Sequence, residues 1–244
     1  MSEEIEPPER KPLMDALGYP VRGSGRILLV IGTVMAATLG FVSGFSVFGS
    51  IASLLGLCYF NAYYHSIVES TVSWQEDPPD WPDVSDLAGE ILMPMIRTVG
   101  VFLLSFLPLI GCAVLARKMG VEIWSSPFVW LALVWGVLYF PMAIVDVIVC
   151  NELSRALPQH VIPKIRRAMP GYLLLAGLLL AGVMLSGFAE VFLKRIPIVG
   201  GLLSAAAGLY FAMAQARLAW IFYREQWAAE EEAEGEAAAG AQAP

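Results

Sequence analysis

Charge is missing where a water-soluble chain needs it most: residues 27–66 contain no Asp, Glu, Lys or Arg. At about 1.5 Å per residue, one helix of that length would be roughly twice as long as the ~30 Å hydrocarbon core of a bilayer is thick. The run must therefore fold back on itself inside a membrane. Residues 173–223 repeat the pattern, with charge confined to Glu190, Lys194, Arg195 and Arg217. Only 15% of the 244 residues are charged against 57% hydrophobic, and the mean hydropathy is +0.66. That leaves too few polar side chains to coat a soluble domain of this size.

Cysteine and histidine are scarce as well. Cys58, Cys112 and Cys150 all fall in apolar runs, and an odd number of such thiols argues against a disulfide framework. They read as small core residues. The two histidines, His65 and His160, leave a serine-type intramembrane hydrolase dependent almost entirely on His65. Ser24 follows Gly23 and Ser46 lies two residues after Gly44, but each lacks an evident base. There is no HExxH, GxSxG, phosphate-cradling glycine loop or CxxC. No catalytic residue, metal site or cofactor is expected, and the chain is read as a non-enzyme.

Basic charge is the third shortage. The formal charge of −7 comes mainly from residues 69–90, with seven acids and no base, and from residues 225–236, with six acids. Neither offers a basic face, which excludes nucleic acid as an expected partner. The first 26 residues are charged and contain proline, and the apolar run behind them is too long for a cleavable signal. The first span is expected to serve as an uncleaved insertion signal.

What the sequence does contain is six apolar spans: residues 27–42, 45–68, 91–116, 127–150, 172–193 and 199–223. The pairs are joined at Ser43-Gly44, at residues 117–126 and at residues 194–197, and connections this short force antiparallel neighbours. The predicted fold is all-α, a polytopic membrane bundle of six transmembrane helices arranged as three antiparallel hairpins. Residues 1–26 form an N-terminal segment, 27–223 the transmembrane domain, and 224–244 an acidic tail expected to be helical only near Trp227 and then disordered. Nine Lys and Arg flank the spans on one side (Arg10, Lys11, Arg22, Arg26, Arg155, Lys164, Arg166, Arg167, Arg224) against four on the other (Arg117, Lys118, Lys194, Arg195). The positive-inside rule then predicts a plasma membrane protein with both termini in the cytoplasm.

Three segments outside the spans stand out. Residues 7–25 mix charge with Leu13, Met14, Leu17 and Tyr19, which predicts an interfacial segment. Residues 151–170 alternate apolar with basic residues; Pro158 and Pro163 should break them into a bent amphipathic linker on the anionic leaflet. The loop Glu76-Asp-Pro-Pro-Asp-Trp-Pro-Asp83 is too rich in proline to be helical. Its acids, Glu76, Asp77, Asp80 and Asp83, with Trp81, form a candidate docking surface for a membrane or cytoplasmic protein. The preferred reading of the tryptophans has Trp74 and Trp81 anchoring the loop at the headgroups. A calcium site is disfavoured because the glycine of an EF-hand turn is missing.

Ionisable groups within spans are costly and each calls for a partner. His65, Arg97, Asp146 and Arg217 fall at a similar depth, and Asp146 is expected to pair with Arg97 or Arg217. Either they form a collar, as a gate or binding site for an ion or small anion, or the arginines snorkel to headgroups. The second reading is preferred, since all lie within reach of the surface. His65 and Glu69 share one helical face but make a poor metal site. Glu190 and Lys194 are expected to form a local surface pair. Each hairpin's second helix carries Gly shortly before Tyr-Phe (Gly56, Tyr59, Phe60; Gly136, Tyr139, Phe140; Gly208, Tyr210, Phe211), which reads as close helix packing in preference to a repeat-built substrate site.

The segment Tyr19-Pro-Val-Arg-Gly23, the helix running into Ser66-Ile-Val-Glu-Ser-Thr71 and the acidic Pro/Trp loop behind it resemble an uncharacterised family of prokaryotic multispan membrane proteins, a domain of unknown function. The resemblance covers residues 19–110. It implies a prokaryotic inner membrane and about six helices, and it assigns no catalytic or binding residue. The functional expectation is a non-catalytic scaffold or accessory envelope component, with the lipid bilayer and proteins at the acidic loop as partners. The alternative is a transporter or channel, for which Pro94, Pro108 and Pro141 would interrupt helices along a substrate path.

Overall fold

The computed structural model describes residues 12–43, 47–72, 75, 77–169, 171–196 and 199–241, with side chains described through Arg224 except at Ser43 and Val72. These residues form eight α-helices and no strand: α1 (Pro12–Gly18), α2 (Gly25–Ser43), α3 (Val47–Val72), α4 (Met93–Lys118), α5 (Pro127–Cys150), α6 (Pro158–Ala168), α7 (Gly171–Leu193) and α8 (Gly200–Ala241). Six of them, α2 to α5 with α7 and α8, are long and apolar enough to cross a membrane. The chain is an all-α, multi-pass membrane bundle. Its hairpins are α2 with α3, α4 with α5, and α7 with α8, and each pair packs together. Gly44, the expected turn of the first hairpin, lies outside the described residues, as do Ser46, Trp74 and Glu76.

Local chemistry explains where the helices start and stop. Pro127 and Pro158 open α5 and α6, where the missing N–H costs nothing and φ is already helical. Pro158 therefore begins a helix that the sequence reading had it breaking, and Pro163 is accommodated inside it. At the end of α4, Gly120 takes φ +66°. Val121 N–H then reaches the Ala116 carbonyl at 3.0 Å and Gly120 N–H that of Arg117 at 3.3 Å, a closure that needs a left-handed residue. Asn151, at φ 57°, ends α5 in the same left-handed region and turns the chain back beneath the bundle. The Tyr139 hydroxyl fastens that return segment by donating to the Ala156 carbonyl at 2.6 Å. Pro108 and Pro141 lie within continuous helices. One turn before Pro141, the Leu138 carbonyl accepts a hydrogen bond from the Tyr172 hydroxyl.

Packing is uneven along the membrane normal. Near the end of the bundle where α1 packs and α8 runs on, residues Met142 to Ile148 of α5 are all buried. Ala143, Val147 and, on α8, Ala216 are 0% exposed. A helix buried on every side must be touched from every side, and α5 is packed by α3, α4, α6, α7 and α8. Toward the far end the same helices bare more of their apolar surface: Phe48 of α3 is 84% exposed and Leu131 of α5 is 66% exposed. In water such surfaces would drive association; in hydrocarbon they cost nothing. Trp124 and Trp130 sit at this far end, the indole N–H of Trp130 donating to the Trp124 carbonyl at 3.0 Å, as interfacial tryptophans do.

The N-terminal segment lies against the bundle with its larger aliphatic residues outward. Leu13, Met14 and Leu17 face outward, whereas Asp15, Ala16 and Tyr19 are buried against the bundle. Its helix packs on α8, where the Tyr210 hydroxyl donates to the Leu17 carbonyl at 2.6 Å. Helix α8 runs on through Ala241, beyond the Trp227 at which helicity was expected to fade; Ala and Glu, which dominate that stretch, are strong helix formers.

The packing gradient makes a prediction. Ala216→Leu, which overpacks the dense end, should lower stability in detergent by about 1–3 kcal/mol. Leu131→Ala, at the far end, should leave it nearly unchanged. Thermal unfolding of the two purified variants measures the difference, and equal losses would contradict the gradient.

Candidate functional site

The polar residues at the dense end form three separate constellations. The first surrounds Asp146, which is 0% exposed in the last turn but one of α5. Its Oδ1 accepts from Lys164 Nζ at 2.5 Å and from the Tyr223 hydroxyl at 2.9 Å, with the Cys150 Sγ at 3.8 Å. The other carboxylate oxygen, Oδ2, is buried and has no hydrogen-bond partner among the described residues. Lys164 comes from α6, so the pair closes the loop that Asn151 begins, and α6 is bolted to the two central helices through one carboxylate.

The second constellation is built on Arg217 of α8. Its Nε donates to Asp15 Oδ2 at 3.1 Å, and its Nη1 donates to Thr71 Oγ1 at 3.1 Å and to the Gln75 carbonyl at 2.9 Å. The guanidinium also lies 4.9 Å from the centre of the Tyr19 ring, a cation–π contact. Asp15 is held a second time by Arg22 Nη1 at 2.5 Å. One planar cation thus joins α8, α1, the end of α3 and the first described residue of the acidic loop. A lysine could not do this, because only the guanidinium fork offers several donors in one plane. Burial by itself pushes the Asp15 carboxyl up, but hydrogen bonds from Arg22 and Arg217 and their positive charge outweigh it and hold it below its ordinary value.

The third joins α3 to α4: His65, buried, meets Thr98 Oγ1 through Nε2 at 2.9 Å. Arg97 lies next in sequence to Thr98, within electrostatic reach of His65 and Glu69.

The expected collar therefore resolves into three sites, and the expected partners of Asp146 are corrected. Neither Arg97 nor Arg217 pairs with it. Arg217 turns toward α1 and α3, and Lys164 reaches Asp146 because α6 folds back under the bundle. Glu190 and Lys194 form the expected local pair at 2.5 Å, exposed. Asp15, Lys164, Thr98 and Tyr223 were missed. For Lys164 a signal existed: Val161, Lys164, Ile165 and Ala168 fall at helical spacing on the stripe of α6 that turns inward, so its ammonium had to meet an acid. Asp15 gave none, since its helix buries the face that looks less apolar.

Over these sites lies the acidic loop. Trp81 stacks on Tyr63 with ring centres 4.3 Å apart and on Tyr59 at 5.5 Å, and meets Phe60 edge-on at 5.9 Å. The loop backbone is tied down at two further points: Ser24 Oγ donates to the Pro78 carbonyl at 3.2 Å, and the Tyr59 hydroxyl donates to the Pro82 carbonyl at 3.1 Å. The Asp77 carboxylate rests against Gly23, at φ +42°, where a Cβ would collide with it. Asp83 accepts from the Ser85 N–H at 2.9 Å and hydroxyl at 2.8 Å, which holds its carboxyl low. Asp86 caps the next turn by accepting from Gly89 N–H at 2.9 Å. Trp81 is thus a bundle residue and not a headgroup anchor, while Asp77, Asp80, Asp83 and Asp86 remain exposed. Glu76, also expected in this surface, lies outside the described residues.

Compared with known proteins, the chain matches no family model, no curated sequence and no solved structure.

Two predictions follow from these geometries. Lys164→Met strands a buried carboxylate and should cost about 3–5 kcal/mol. Asp146→Leu combined with Lys164→Met should recover most of that loss, because the desolvated pair is then gone altogether. Denaturation of single and double variants tests the coupling, and strictly additive losses would contradict it. The second concerns pH. Since the folded Asp15 carboxyl lies below its ordinary value of 3.8, its contribution is complete above that value and is lost as pH falls through the folded one. Between pH 7 and pH 3 the melting temperature of the wild type should fall more steeply than that of Asp15→Asn. Parallel curves would contradict the assignment.

Proposed function

We propose that this chain is a non-catalytic integral membrane protein that holds a preformed acidic platform at one membrane face for a partner protein with a basic surface. The supporting observation is the way the loop is held. Arg217 binds its backbone at Gln75, Ser24 at Pro78 and Tyr59 at Pro82, and Trp81 is sunk among aromatic rings. Four aspartates are left exposed on that fixed frame. A rigid, precharged surface loses little conformational entropy on binding, and complementary charge speeds encounter.

The setting we assign is a prokaryotic plasma membrane with both termini and the platform in the cytoplasm. Nine basic residues against four support the orientation, and the resemblance over residues 19–110 supports the prokaryotic membrane. The transporter reading has less to draw on. His65, Asp146 and Arg217 are engaged in contacts with neighbouring elements, and α4 and α5 continue unbroken through Pro108 and Pro141.

The triple substitution Asp80→Asn, Asp83→Asn and Asp86→Asn removes three charges and keeps an acceptor oxygen for the Ser85 and Gly89 N–H groups, while the new amide at position 83 can donate to the Ser85 hydroxyl. Its stability should stay within about 0.5 kcal/mol of wild type, while a partner cross-linked to the wild type in native membranes should be lost. Unchanged cross-linking in the variant, or ion flux by the purified protein in proteoliposomes, would overturn the proposal.

A further inference from the structure

Between α2, α3 and α8 the bundle leaves a cavity of about 220 Å³. Phe60, Tyr63 and Tyr64 of α3 form one wall, and Ala205, Gly208 and Ala212 of α8 form the facing one. A single water needs only about 10–15 Å³ measured in this way, so the space is much larger than a packing defect. It is not a product of one missing side chain either. A Cβ placed on Gly208 would meet nothing within 4 Å, so the emptiness reaches down to the backbone of α8. Gly208 and Ala212 are both exposed, which opens the cavity on that side.

What fills it can be argued from its position and lining. All six wall residues lie within stretches of α3 and α8 apolar enough to cross the membrane, and the lining is almost wholly apolar. Water would need about two to four polar partners to remain there. An empty cavity would forfeit dispersion contacts along its whole lining. Outside the mouth lies hydrocarbon, the one material in contact with this surface that satisfies both conditions.

We infer that this cavity is a binding site for one hydrocarbon chain of a membrane lipid. The site is independent of the docking reading of the acidic loop, although Trp81, stacked on Tyr63 and edge-on to Phe60, touches the back of the same wall. It differs from ordinary lipid contact in being concave and walled on three sides, and so should retain a chain after the surrounding lipid is removed.

The test uses the full chain in detergent with a single phospholipid carrying a photoactivatable diazirine on one acyl chain, supplied at about one lipid per protein. After photolysis, labelled peptides are mapped by mass spectrometry. Labelling should concentrate on residues 60–67 and 205–213 and exceed several-fold that around Leu174, a convex position 70% exposed. Gly208→Leu and Ala212→Leu each place a side chain in the open space. Each should abolish the cavity label without lowering the melting temperature, and either one suffices if the other fails to fold. Labelling of the cavity no stronger than that around Leu174, or its persistence in a folded filling variant, would overturn the inference.

Discussion

Arg217 is the contact on which the arrangement at this end of the bundle depends. A guanidinium placed in a membrane helix must find acceptors for its donors or carry a large desolvation cost. Here those acceptors come from three other parts of the chain: the carboxylate of Asp15, the hydroxyl of Thr71 and the carbonyl of Gln75. Satisfying one side chain thereby fixes the N-terminal helix, the end of α3 and the entry to the acidic loop against α8. The charge that looks most awkward in the sequence is what organises the surface around it.

The same economy governs the other polar groups. Asp146 is neutralised by Lys164 and hydrogen-bonded by Tyr223, and His65 is matched by Thr98. All sit where packing is densest. A low effective dielectric strengthens such pairs and equally penalises any member left alone, so tight burial and complete pairing have to occur together. The far half of the bundle, with few polar groups in its interior, presents bare apolar side chains to lipid. The cavity between α2, α3 and α8 belongs to this looser regime, where small residues on α8 face aromatic rings on α3 and hydrocarbon completes the packing.

Much of this was legible from residue order. The six spans, their pairing into hairpins and the Glu190–Lys194 contact follow from apolar run lengths and helical spacing, because the bilayer imposes a fixed thickness. That His65, Arg97, Asp146 and Arg217 lie toward one end of the bundle was also readable. Which of them meet was not, because depth gives no azimuth. Lys164 reaches Asp146 only through the turn at Asn151, whose left-handed backbone no hydropathy pattern announces. Asp15 escaped notice for another reason: the buried face of α1 carries an acid, while its more apolar residues face outward. Trp81 was expected at headgroup level, yet Tyr59, Phe60 and Tyr63, spaced along one face of α3, form the slot that takes it in.

The central claim is that the acidic loop is held rigidly through Arg217. Pulsed electron–electron distance measurement addresses it most directly, in nanodiscs, with spin labels at Val84→Cys on the loop and Gln159→Cys on α6 after the three native cysteines are replaced by alanine. The account predicts one narrow distance distribution in the otherwise wild-type chain and a broad one when Arg217→Met is added. A broad distribution from the start, or a narrow one that survives the loss of Arg217, would contradict it.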